Sequence, residues 1–176
     1  TFAANLRHMY TRDLQSIIQE RCFQGKAIIL LGARQVGKTT LLKKIIQEQQ
    51  VDALYLNCDE PQTVTALTNC NLKELQMVIG ANKFVVIDEA QKVDNIGLTL
   101  KLIVDNMPDV QVIATGSSAF ELRNCLNEPL TGRKYEYQMF PISSKEIYQS
   151  SGYIDLKGLL ETRLIYGSYP DILNQN

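Results

Sequence analysis

The chain has 176 residues, of which 45% are hydrophobic and 21% charged; 18 Lys and Arg stand against 19 Asp and Glu, for a formal net charge of −1. That length suits one domain burying about two-thirds of its unfolded surface, and the composition excludes wholesale disorder. The charge balance withholds the basic excess that points to nucleic-acid phosphates.

The N-terminal stretch carrying His8 and Tyr10 reads as a helix packed on a core, without catalytic use of His8. Apolar runs then mark five strands: Ala27–Leu31, Ala53–Leu56, Phe84–Ile87, Val110–Ala114 and Tyr135–Met139. The first four are rich in Ile, Val and Leu, as in a parallel sheet covered on both faces, whereas "YEYQM" alternates and belongs at or near a sheet edge.

Helical spacing fills the gaps. Leu41, Leu42, Ile45 and Ile46 form one stripe opposite Lys43, Lys44 and Gln47, and Leu72, Leu75, Met77 and Ile79 support a helix ending at Gly80. Leu100, Ile103, Val104 and Met107 precede Pro108, and Leu122, Cys125 and Leu126 precede Pro129. Strand alternating with helix predicts a three-layer α/β domain over residues 1–142. Ile142–Gln149 and Leu156–Tyr166 read as helices with no strong strand between them, so residues 143–176 are expected to begin a helical extension.

Gly32-Ala33-Arg34-Gln35-Val36-Gly37-Lys38-Thr39 fits G-x-x-x-x-G-K-[ST], between a strand and a helix and followed by Thr40. Glycines let backbone N–H groups turn inward around phosphates, Lys38 reaches the β- and γ-phosphates, and the Thr39 hydroxyl is placed for magnesium. Phe84-Val-Val-Ile-Asp-Glu89 delivers two carboxylates to the carboxyl edge of the sheet. Asp88 is expected to hold Mg2+, directly or through water, and Glu89 to orient the water attacking ATP. Of Thr115 and Ser117, after the fourth strand, Thr115 is slightly preferred as the polar sensor of the γ-phosphate, while Ser118 caps the next helix.

Arg133, before the fifth strand, is the candidate for stabilising transition-state charge, in its own subunit or a neighbour's. Arg123 is a weaker candidate on a solvated helix face. The position of Arg34 in the loop leaves its side chain free to point away, toward structural or partner contacts. Asn57, Asp59 and Glu60 are read as a turn before Pro61 in preference to a place near magnesium.

Cys22, Cys58, Cys70 and Cys125 contain no Cys-x-x-Cys pair, and the one histidine is remote from them in sequence. Neutral thiols in a reducing compartment are therefore expected rather than zinc or disulfides. No apolar run approaches a membrane span and no signal peptide opens the chain, so the expectation is a cytoplasmic protein with no membrane partner. Since Thr1 rather than Met begins it, a piece of a longer protein is expected.

Together "GARQVGKTTLL", "FVVIDEAQ", "IATGSSAFEL", "LTGR" and "YPDIL" resemble the AAA-type ATPase domain of prokaryotic ATP-binding proteins that carry a C-terminal domain of unknown function. The resemblance runs from about Leu14 to Leu173. It implies a P-loop NTPase sheet in the order 5-1-4-3-2, ATP and magnesium on Lys38 and Thr39, and Asp88 and Glu89 in the acidic strand motif. It also implies further C-terminal polypeptide with a later sensor arginine, and DNA as a partner by resemblance only. A homo-oligomer would be required if Arg133 acts in trans. The leading expectation is an ATP-hydrolysing switch cycling between ATP and ADP. The alternatives are a nucleotide-binding module with little turnover and a P-loop kinase, the latter needing an arginine-rich lid where only Arg123 and Arg133 occur.

Overall fold

The computed structural model describes residues 10–117, 126 and 129–174. Its centre is a sheet of β1 (Ala27–Leu31), β2 (Ala53–Asn57), β3 (Phe84–Asp88), β4 (Gln111–Gly116) and β5 (Lys134–Gln138), ordered β2-β3-β4-β1-β5. Every pairing is parallel. Counted from the opposite edge this is the expected 5-1-4-3-2 order, in an α/β P-loop arrangement.

Alternation along β1 explains the layers. Ala27, Ile29 and Leu31 pack into one apolar cluster with Leu75, Ile79, Leu100 and Ile103; Ile28 and Leu30 face another with Ile18, Leu42 and Ile45. Thus α1 (Asp13–Arg21) and α2 (Lys38–Gln49) cover one face, while α4 (Leu72–Ile79) and α5 (Ile96–Asn106) cover the other, with α3 (Pro61–Leu67) beside them.

Several expectations shift. β5 covers Lys134–Gln138 rather than Tyr135–Met139 and lies at the sheet edge. β2 is the other edge, so its residues are half-buried to exposed rather than covered on both faces. α3 was not anticipated; Pro61 opens it, where a missing N–H costs nothing. Met77 is exposed on α4 and does not share the apolar stripe. Leu126 is helical and buried, but Leu122 and Cys125 of the expected helix lie outside the described residues, as do His8, Ser118 and Arg123.

After the sheet the chain is helical, as expected: α6 (Ser144–Gly158), α7 (Leu160–Tyr166) and α8 (Pro170–Leu173). Ser143 and Glu146 cap α6 reciprocally, and Gly152, at φ 85°, interrupts its helical geometry. Ile142, Ile147 and Leu173 bury themselves with Tyr10 in a small third cluster, tying this part to the N-terminal segment. Among the described residues no helix is long and apolar enough to cross a membrane.

Candidate functional site

The glycine-rich loop leaves β1 at the carboxyl edge of the sheet and ends on the first turn of α2. Two glycines are sterically required there. A Cβ on Gly32 would stand 2.7 Å from the Met139 carbonyl oxygen and 3.1 Å from Val36 Cγ1, and Gly37 has φ 100°, a region that side chains avoid. Gln35 is also left-handed, at φ 62°. Lys38 is buried beneath the loop, its Nζ donating to the carbonyl oxygens of Gly32 (2.7 Å) and Ala33 (3.1 Å). Burial pushes its pKa down; Glu89 and Asp88 oppose this and Arg34 adds to it.

The acidic residues arrive from β3. Asp88 Oδ2 accepts from the Thr39 hydroxyl at 3.3 Å and from the Tyr55 hydroxyl, while Oδ1 accepts from Thr115 and from the Glu89 N–H (3.2 Å). Glu89, left-handed at φ 53°, turns its carboxylate toward β4, where Oε2 accepts from Ser117 Oγ (2.8 Å) and Gln91 Nε2 (2.6 Å). Arg34, Gln35, Gly37, Lys38, Thr39, Thr40, Asp59, Asp88 and Glu89 line one open cleft of about 480 Å³. The expected phosphate, magnesium and water-orienting groups thus share one space. A hydroxyl beside a carboxylate is a donor set suited to a hard divalent cation that takes its other ligands from phosphate and water, so Thr39 and Asp88 fit magnesium.

Three sequence readings need correction. Register pairs Ala27 with Lys134, and the Ala27 N–H donates to the Arg133 carbonyl (2.9 Å), so Arg133 lies at the amino edge of the sheet. The length of β1 separates it from the phosphate loop by about 15 Å, and its guanidinium bonds Asp105 at 2.6 Å. It does not reach the phosphates of its own subunit. Thr115 is fully buried beside Asp88, because register aligns Ile87 with Ala114. Ser117, past the last paired residue, is the hydroxyl that meets Glu89. Arg34 does not point away but borders the cleft, exposed.

Asn57, Asp59 and Glu60 do form the expected turn: Asn57 Oδ1 accepts from the Asp59 N–H (3.0 Å), and the Glu60 N–H bonds the Asn57 carbonyl (3.1 Å). Asp59 also pairs with Lys92 at the rim of the cleft. Cys22 and Cys58 are neutral thiols, pushed by burial to about 11 and about 12, and with Cys70 they are free.

Sequence reasoning missed Tyr55, Gln91 and Arg12. Tyr55 and Gln91 had one available signal, their spacing from a strand end or from the acidic pair. Arg12 had none, because its partners are distant in sequence. Its guanidinium donates to the Val36 carbonyl in the phosphate loop (2.9 Å), to the Phe140 carbonyl (2.5 Å) and to Glu146 Oε1 (3.0 Å). Behind the loop, Arg12 also lines a cavity of about 240 Å³ with Tyr10, Gln15, Leu41, Ile142 and Asn174. That cavity shares Gly37, Thr40, Pro170 and Asp171 with the phosphate cleft.

Comparison with known proteins gives the chain's relatives. The chain is 29% identical over 144 residues to an uncharacterized protein of Methanocaldococcus jannaschii, an alignment covering 76% of this chain and 30% of that protein. An alignment with an uncharacterized protein of Mycobacterium tuberculosis, 24% identical, covers 80% of this chain and 31% of that one. The chain therefore spans about a third of the length of these relatives. In structure it is similar to a Walker-type ATPase of Pyrococcus abyssi, with TM-score 0.62, 19% identity, and coverage of 94% of this chain and 66% of the other. The family described as "AAA domain" matches residues 24–148, most of the chain. The chain belongs to the AAA domain family.

Proposed function

We propose that this domain binds ATP with magnesium and hydrolyses it as a nucleotide-dependent switch. The observation that carries this reading is the convergence of Lys38, Thr39, Asp88 and Glu89 on one cleft at the carboxyl edge of the sheet. The loop N–H groups and the positive end of α2 receive the phosphates. Lys38 exchanges its loop carbonyls for β- and γ-phosphate oxygens. Magnesium, held through Thr39 and Asp88, would neutralise charge between these phosphates. Glu89 accepts a proton as water oxygen bonds to the γ-phosphorus and the bond to the β–γ bridging oxygen breaks, giving ADP and inorganic phosphate.

The nucleoside occupies the adjoining cavity between the N-terminal segment and the extension. Gln15 Oε1 and Asn174 Oδ1 border it as buried acceptors without a hydrogen-bond partner among the described residues, which suits an exocyclic amine. The switch acts through Arg12, which joins the phosphate loop at Val36 to α6 at Glu146. Its effector lies in further polypeptide of the kind that the longer relatives possess. A structure similar to this chain, Orc1 of Aeropyrum pernix (TM-score 0.59, 12% identity), is in complex with DNA, but a net charge of −1 gives that partner no support here.

The test is phosphate release from ATP by the full-length protein, with and without magnesium, beside Lys38→Ala. Release that needs magnesium and disappears in Lys38→Ala is expected. Tight ATP binding without release in the wild type would instead favour a binding module with little turnover, a reading that leaves the placement of Glu89 unexplained.

A further inference from the structure

Among the described residues, the Glu89 carboxylate is gripped on one oxygen. Gln91 Nε2 at 2.6 Å and Ser117 Oγ at 2.8 Å both donate to Oε2, and the same Gln91 nitrogen lies 3.3 Å from Ser117 Oγ, closing a triangle. The two donors come from different elements: Gln91 from the 3-10 turn Ala90–Lys92, anchored by fully buried Ala90, and Ser117 from the end of β4. Below, the Glu89 N–H is fixed by Asp88 Oδ1 (3.2 Å) and Thr115 Oγ1 (3.3 Å). Backbone and side chain are therefore held independently. No hydrogen bond from a described residue falls on Oε1.

The Gln91 amide has one orientation that suits its neighbours, because only its NH2 can donate to a carboxylate. Its carbonyl oxygen is consequently buried without a partner among the described residues. The amide keeps its nitrogen on Glu89 Oε2.

We propose that Gln91 is a positioning residue for hydrolysis: with Ser117, a candidate polar sensor by its place after β4, it pins Oε2 so that Oε1 faces the attacking water. The proposal rests on the hydrolytic reading above. It is tested in the full-length protein by steady-state ATP turnover and by equilibrium ADP binding, which certifies that each variant is folded. Gln91→Leu and Ser117→Ala should each lower kcat by about tenfold to a hundredfold, the range for losing a hydrogen bond to a charged group, with ADP affinity changed less than about threefold. Ser117→Thr should restore most of the rate.

In a Glu89→Gln background, single-turnover rates should fall less than about twofold further on adding Gln91→Leu, since the two act as a unit. An undiminished kcat, a loss confined to KM, or the same fold-loss with and without Glu89 would overturn the proposal. Wild-type turnover no faster than that of Glu89→Gln would instead remove the hydrolytic reading, and this inference with it.

Discussion

The two sides of the cleft are built in different ways. The phosphate loop is backbone: a left-handed Gly37, a Gly32 pressed on Met139, and Lys38 closing on loop carbonyls, with Gly32, Gly37 and Lys38 close together in sequence. The acidic side is side chain: Asp88 and Glu89 from β3 are held by Thr39, Tyr55, Thr115, Gln91 and Ser117, from four other places in the chain. One side tolerates almost no change of shape; the other spreads its hold over many modest bonds. Single substitutions should therefore be severe in the loop and graded opposite it.

The largest effect is expected from Gly32→Ala. Its Cβ would meet backbone at 2.7 Å, and the Met139 carbonyl is itself fixed beside β1, where the Met139 N–H bonds Leu31 (2.7 Å). We expect nucleotide binding to be lost, and about 2 kcal/mol or more of stability with it, in calorimetry and thermal melts. Arg12→Ala comes next. Arg12 and Glu146 are 10% and 7% exposed in their side chains, so removing the cation strands a buried carboxylate at about 3 kcal/mol, measured by denaturant unfolding.

The same pair gives a pH dependence. Burial would raise the Glu146 carboxyl, but the N–H groups of Ser143 and Asp13 and the Arg12 guanidinium outweigh it and hold the pKa below 4.5. Stability from this carboxylate is thus fully present above pH 4.5 and is lost as pH falls through the lower folded value. The Tm gap between wild type and Glu146→Gln should be wide at pH 7 and close in acid. A gap that is constant with pH would show that the ionised carboxylate is not what matters.

On the acidic side, Tyr55→Phe removes one of several donors to Asp88 and should lower kcat by less than about tenfold, the scale of one hydrogen bond. The smallest effect belongs to Arg133→Ala. Its pairing with Asp105 is largely solvent-exposed, so stability should move by no more than about 0.5 kcal/mol. Turnover of isolated monomers should be unchanged, whereas a drop that appears only on self-association would restore Arg133 as a residue acting in trans.

What was legible in the sequence follows this division. The loop and the acidic pair could be read because contiguous spacing encodes them, whereas the strand order came only from the family resemblance. Apolar runs ending in Gly32 and Asp88 place both at the same sheet edge once the strands are parallel. The reading of Arg133 as reaching the phosphates of its own subunit failed because spacing after a glycine says nothing about which edge of the sheet a residue meets. Its register with Ala27 decides that, and register is a long-range property. The choice between Thr115 and Ser117 turned on a single residue of offset between β3 and β4. Arg12 joins Val36, Phe140 and Glu146 across 24 to 134 positions, and no local pattern marks it.

The central claim, a cleft that binds ATP through the loop and cleaves it through Glu89, is tested most directly by measuring ATP affinity and phosphate release together in full-length Glu89→Gln. The account predicts affinity within about threefold of wild type and release lower by about two to three orders of magnitude, the scale of removing a preorganised catalytic contact. Release at the wild-type rate, or loss of ATP binding with an intact fold, would contradict it.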